Sequence, residues 1–447
     1  MRIAMIASLH LKRRAFCTVV ALCVSLLAVV MGGADSNLAR GADGPSDVHF
    51  GAAVAISSDS ALVGSPYGFD GRSAGAAYVF ELTAGGWRQV TRLAASNGKP
   101  GDSFGSALAI YDSAVLIGAW GTDGIAPVSG GAFVFERGPN GWREVAVLTN
   151  PDAVERQLLG YSVALGARTA MVGAPGVNTK LRSDRSKTVP AWSGAVYVWE
   201  KNVSGWQYQG RITPDLLDSS QTSAEQSDPY HLFQNFGRAI ALHDDILVVS
   251  AHNGTIAPGK VYVFRRRDNT WKQEAELIQQ QDSFGIAVAV TAGTIAIASS
   301  GVVFVYAESG GGWHLQNTVE PRVAGEPSGF EQGGSVSIDG NLMVVGAPRY
   351  KARKGAVHLF ERAGTSWKQI ATITAKDAKS DSGNRSGDLF GESVSISGAA
   401  VLAGASFHDS EGPNFGAAYV FSREGSAWIQ TSKFIPPTER DQGAKAR

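Results

Sequence analysis

The residues able to do chemistry are few and scattered. Seven histidines follow residue 34, at His49, His231, His243, His252, His314, His358 and His408. None sits in a His-Glu-x-x-His pair, and the chain has neither a Gly-x-Ser-x-Gly nucleophile turn nor a glycine loop of the phosphate-cradling kind. His358 stands where equivalent segments carry Tyr or Phe, so it reads as a packed strand residue. His252 and His408 fall at or just after a recurring Gly-Ala-Pro-like tripeptide, where a side chain could face a ligand, and Trp120 ends another copy of that tripeptide. Two basic stretches lie beside aromatics: Lys180, Arg182, Arg185 and Lys187 with Trp192, and Arg349, Lys351, Arg353 and Lys354 with Tyr350. Cations next to rings can grip carboxylates and acidic glycans, although solvated loop charge is the ordinary use of such residues. No catalytic set, cofactor or metal is expected.

The composition narrows the partner classes. With 40 basic and 40 acidic residues the chain offers no basic footprint for nucleic acid. Residues 1–34 carry Arg2, Lys12, Arg13 and Arg14, no acid, and an apolar run from Ala15 to Val30 before Met31-Gly-Gly-Ala34. That layout is a secretory signal, and its apolar run is shorter than the roughly 20 residues of a comfortable membrane span. Removing four basic residues from 40 leaves 36 against 40 acidic in the expected mature chain. Both cysteines, Cys17 and Cys23, lie in this leader, so the mature protein is expected to hold together by packing alone. Residues 35–49 read as a linker, 50–435 as the folded body and 436–447 as a tail.

The elements that position these residues repeat seven times. Units open at Phe50, Phe104, Leu159, Phe236, Phe284, Gln332 and Phe390, each followed by an apolar or small alternation such as Val54-Ala-Ile56 or Val394-Ser-Ile396. A second apolar run ends in Gly64-Ser-Pro66, Gly118-Ala-Trp120, Gly173-Ala-Pro175, Ser250-Ala-His252, Gly346-Ala-Pro348 or Gly404-Ala-Ser406. A third starts on a glycine and ends on Phe80, Phe135, Trp199, Phe264, Tyr306, Phe360 or Phe421. The fourth begins with Trp87, Trp142, Trp206, Trp271, Trp313, Trp367 or Trp428, and an apolar residue follows each six positions on, from Leu93 to Phe434. Short runs of this kind bounded by Gly, Ser, Asp and Asn are strands. Four strands per unit at this spacing predict an all-β fold, a seven-bladed β-propeller of four-stranded antiparallel blades.

These units resemble FG-GAP repeats, the motif of the integrin α-subunit propeller and of many secreted bacterial proteins, over roughly Phe50 to Phe434. Departures are local: Leu159 and Gln332 replace the opening Phe, and the fifth unit runs from Ala298-Ser-Ser300 directly into Gly301. The resemblance would imply a calcium loop, Asp-x-Asp-x-Asp-Gly, between the first and second strands. Here those turns, among them Ser57-Ser-Asp-Ser60, Tyr111-Asp-Ser113, His243-Asp-Asp245 and Ser397-Gly-Ala399, hold at most two acids, so calcium binding is not carried over. Asp102, Asp282 and Asp388 each precede an opening Phe by two residues; a loop role, accepting backbone N–H groups, is favoured over a carboxylate ring.

Strand parity fixes where recognition would occur. In an antiparallel four-strand meander the second-to-third loops and the links between blades share one face. That face holds almost all the length variation, at 177–193, 215–235 and 376–389, and it carries both basic stretches. Variable loops on a rigid scaffold are where binding residues sit. The expectation is an exported, monomeric binding module for a protein or a surface glycan. An enzyme with its site at the channel mouth, or a structural envelope protein, are the competing classes.

Overall fold

The computed structural model describes residues 47–68, 73–153, 155–176, 194–214, 235–252, 258–323, 334–382, 386–410 and 414–437. They form seven four-stranded antiparallel sheets, each with its strands in sequence order. The innermost strands are Val54–Ile56, Ala107–Tyr111, Ser162–Leu165, Phe236–His243, Ala287–Thr291, Val336–Asp339 and Val394–Ser397. Each touches the innermost strand of the next blade, and the last touches the first, which closes the ring around an axial channel. The fold is thus the all-β, seven-bladed propeller that the spacing predicts. Among the described residues no helix is long and apolar enough to cross a membrane.

The core lies between blades rather than within them. One apolar cluster joins Leu62, Val79 and Leu93 of blade 1 to Phe104, Val115 and Phe133 of blade 2. Equivalent clusters fill every junction, including that of blade 7 with blade 1. In each, the apolar residue ending a fourth strand reaches the following blade, and the partly or fully buried tryptophan that begins a fourth strand packs on the preceding one. Residues six apart in a regular strand would share a face. A β-bulge resolves this: in all seven fourth strands the register shifts opposite the aromatic of the third, as between Val420 and Phe421. One extra residue turns Trp and its apolar partner to opposite neighbours.

The Phe-Gly and Gly-Ala-Pro pieces are two halves of one junction. Phe390 is fully buried, and its chain forms a parallel bridge with Gly355, which begins the third strand of blade 6. Gly391, at φ 88°, donates its amide to the carbonyl of Gly404 in its own blade at 2.8 Å. Gly404 abuts blade 1, where a Cβ would lie 1.9 Å from the carbonyl oxygen of Gly51. Backbone contact this close leaves room for hydrogen only. The same approach recurs at Gly64, Gly118, Gly173 and Gly346, so the seam between blades 7 and 1 is built like the other junctions. There, too, Phe80 stacks on Phe434 at 3.8 Å.

At the blade ends away from the variable loops, third strands carry an inter-blade girdle. Arg137 pairs with Glu81, Lys201 with Glu136, Arg266 with Glu200 and Arg423 with Glu361. Between blades 4 and 5 the signs are exchanged, and Arg265 meets Glu308 at 2.7 Å.

Candidate functional site at the channel mouth

The residue after each Phe-Gly opens onto the axis, because the innermost strand begins there. In the blades where the structure describes the junction these residues are Ala52, Ser106, Tyr161, Arg238, Ile286 and Glu392. Five of the six turns are preceded by a non-glycine residue with positive φ at about the same value, as at Ser103 (58°), Leu158 (59°) and Leu389 (57°), and in each the amide of the axial residue is bonded back three positions, as in Glu392 to the carbonyl of Leu389. The turn is constant while the side chain it presents varies, and blades 3, 4 and 7 present an aromatic, a cation and an acid.

These three meet loop residues from blades 1, 6 and 7. The Arg238 guanidinium lies 5.5 Å from the centre of the Tyr161 ring. Tyr67, just past the second strand of blade 1, has its phenol pushed up to about 12, first by burial and then by the nearby Tyr161 and Glu392. Glu392 is exposed to solvent in a crowded surround. Burial raises its pKa, against the opposing effects of a hydrogen bond donated by Ser406 and the charge of Arg353. The Arg353 guanidinium stands 5.9 Å from the centre of the Phe407 ring. Phe407 in turn packs on His49 at 4.9 Å, and His49 on Tyr67 at 5.5 Å. Burial lowers the His49 pKa from 6.5 to about 4, so the ring is neutral at neutral pH. Just before it, Asp47–Val48 pairs with Tyr67–Gly68 and pins the start of the described chain to this rim.

Among the described residues, neither Arg238 nor Arg353 makes an ion pair, unlike Arg137, Arg265, Arg266 and Arg423 of the girdle. Both are half-buried. The loop bearing Arg353 is unusual in backbone: Lys351, Ala352 and Arg353 all adopt positive φ, at 48°, 51° and 63°. Such left-handed stretches of non-glycine residues cost free energy, about 1–2 kcal/mol per residue. The following link holds this one in place, since Ser380, Asp381 and Leu389 donate to the carbonyls of Lys351, Ala352 and Arg353.

The residues singled out in the sequence are spread over this face. Arg182, Arg185, Lys187 and Trp192 lie outside the described residues. Trp120 is half-buried and Arg349 and Lys351 are exposed, while Lys354 is half-buried and Tyr350 is buried beneath the Lys351 ammonium, 5.4 Å from its ring. His252 is buried, and its carbonyl accepts a hydrogen bond from Asn235. His408 is committed to an interior network: Nδ1 is 2.7 Å from Asp388, Nε2 is 2.9 Å from the Lys433 ammonium, and Lys433 also donates to Asp377 at 2.6 Å. Tyr419 donates to the other oxygen of Asp377. Burial raises the Asp377 pKa, but these two donors outweigh it and hold the carboxyl below its ordinary value. Of the sequence candidates among the described residues, only Arg353 enters the channel-mouth cluster.

Asp102 and Asp388 serve their loops: each carboxylate accepts a backbone amide at 2.8 Å, from Lys99 and Lys379. His358 is fully buried in its strand, with Nδ1 3.0 Å from Thr372. Among the described residues no group of three or more His, Cys, Asp or Glu is placed to hold a metal ion. Tyr67, Tyr161, Arg238 and Glu392 escape the sequence reading because each is a lone residue in its repeat. The available signal was the column after Phe-Gly, small or apolar in other units and Tyr, Arg and Glu in these.

A closed ring of seven four-stranded blades, with its irregular side chains gathered at one mouth, defines a β-propeller. Comparison with known proteins gives the repeat class. A family model described as FG-GAP repeat matches residues 40–80, 87–135, 142–199 and 367–421. The chain thus carries FG-GAP repeats on a seven-bladed β-propeller. No curated protein matches it. A crystal structure of a protein from Lactobacillus plantarum is similar at 14% identity and a TM-score of 0.51, over 85% of this chain and 97% of that one. A crystal structure of Kluyvelomyces marxianus Hsv2 is similar at 9% identity and a TM-score of 0.47, over 88% of this chain and 99% of the other. At these identities the likeness is one of fold.

Proposed function

We propose that this protein is an exported binding module that engages a protein or a surface glycan through its variable-loop face, with the channel mouth as the centre of contact. One observation carries the reading: residues that break the repeat, from blades 1, 3, 4, 6 and 7, converge at that mouth, while the positions that obey it are used up in packing. Ligand sites on symmetric scaffolds arise where loops and irregular residues meet. The leader in residues 1–34 supports export, and N-terminal sequencing of the mature chain is expected to begin near residue 35.

The test compares two ends of one molecule. Replacing Tyr161 and Arg238 together with alanine is expected to lower retention of the protein on native cell-envelope material at least tenfold, with its melting temperature little changed. Replacing Ser58 and Asp112, in turns at the other end, is expected to leave retention unaltered. Equal retention of both variants and the parent would overturn the assignment of the face.

A further inference from the structure

We propose that the channel mouth binds a carboxylated sugar residue, held by Arg238 and Arg353 through its carboxylate and by Tyr67 and Tyr161 across its ring. This rests on the reading of the loop face as the binding surface and names what that surface takes. Half-buried guanidinium groups are normally matched by carboxylates, since a charge partly removed from water needs a partner. Arg137, Arg265, Arg266 and Arg423 of the girdle each have one and Arg362 bonds Thr294 instead, whereas among the described residues no carboxylate forms an ion pair with Arg238 or Arg353, the latter acting on Glu392 only through its charge. An anion entering the mouth would supply it, and the planar guanidinium matches a carboxylate in two parallel hydrogen bonds.

The surrounding chemistry selects a sugar over other anions. Tyr67 and Tyr161 bring two rings with polar tips to the rim, a combination suited to the mixed apolar and hydroxylated faces of a pyranose. Glu392, held by the buried Ser406 hydroxyl, is an exposed acceptor beside them for ring hydroxyls. A protein partner would need buried apolar anchors, but the exposed large hydrophobics belong mainly to the outer strands, as at Val90, Val147, Tyr208, Leu315 and Ile429. The turn amides at the mouth are already bonded to carbonyls three positions back, as Glu392 to Leu389, so no cradle of free amides is offered to a phosphate there.

The experiment is calorimetric titration of the full chain with trigalacturonate, its methyl ester, a neutral galactose trimer and a hexaglutamate peptide. Trigalacturonate is expected to bind, with the ester and the neutral trimer at least tenfold weaker. Arg238→Gln and Arg353→Gln are each expected to weaken it at least tenfold, with Arg238→Lys recovering part of the loss and circular dichroism unchanged. Equal affinity for the ester, or affinity untouched by both arginine variants, would overturn the proposal. Preference for hexaglutamate would overturn the sugar while leaving the binding face intact. Absence of binding by any probe would overturn the sugar too; the envelope-retention comparison then decides the binding face independently.

Discussion

At the scale of single residues, His49 connects the rim to pH. The folded imidazole, packed between Tyr67 and Phe407, titrates near 4, whereas the unfolded one titrates near 6.5. Between those values the unfolded chain binds a proton that the folded chain refuses. Stability is therefore fully present above pH 6.5 and declines as pH falls towards 4, by about 2–3 kcal/mol at pH 4.5. Replacing His49 with glutamine is expected to remove that part of the slope, read as the difference in urea midpoint between pH 7 and pH 4.5; an unchanged slope would place the titrating group elsewhere. Residues of this kind were the least legible in the sequence. Tyr67 and Arg238 look like any loop tyrosine or arginine until the ring brings blades 1, 3 and 4 to one axis. The histidines that did stand out, His252 and His408, are both buried, and His408 is folded inward onto Asp388, as readily an outcome for a polar side chain at the end of a strand as facing a ligand.

At the scale of the strand, the seven bulges decide which neighbour each side chain meets. In blade 7, Thr431 is the extra residue, exposed and opposed by no partner of its own in the third strand. Thr431→Ala removes little and is expected to cost less than about 1 kcal/mol. Deleting Thr431 is a different matter, since it restores even spacing and turns either Trp428 or Phe434 away from its cluster. Losing the Phe434 contact alone is worth about 3–5 kcal/mol, well above what a solvent-screened girdle pair such as Arg423 with Glu361 contributes. Chemical denaturation of the two variants should separate these magnitudes; similar midpoints would mean that the bulge is not what sets the facing. The strands were legible because Gly, aromatic and Trp recur at fixed spacing. The bulge was not, as the Trp-to-apolar distance of six reads as one face unless an inserted residue is known.

At the scale of the whole molecule, the question left by the sequence was how the ring closes. Seven complete blades could meet at a special seam or at one more ordinary junction, and the contacts favour the second. Gly404 meets Gly51 as Gly64 meets Gly105, Phe50 bridges Gly416 as Phe104 bridges Gly75, and Phe434 fills the cluster of blade 1 as Leu93 fills that of blade 2. Among the described residues no blade takes a strand from the other end of the chain, since the four strands of each blade follow one another in sequence order. The pattern was visible residue by residue, but closure depends on the small rotation between neighbouring blades, which no single repeat encodes. If every junction is equivalent, the position of the chain ends is incidental to stability, and each junction contributes its own burial. A circular permutant that joins residue 437 to residue 47 by a short glycine and serine linker, with new ends within 215–234, is therefore expected to fold and to melt within a few degrees of the parent. Opening the ring between blades 3 and 4 breaks no strand pairing among the described residues and moves the covalent gap from one junction to another of the same construction. Failure of this permutant to fold, alongside a parent that folds normally, would show that the junction of blades 7 and 1 has a role the other six do not share.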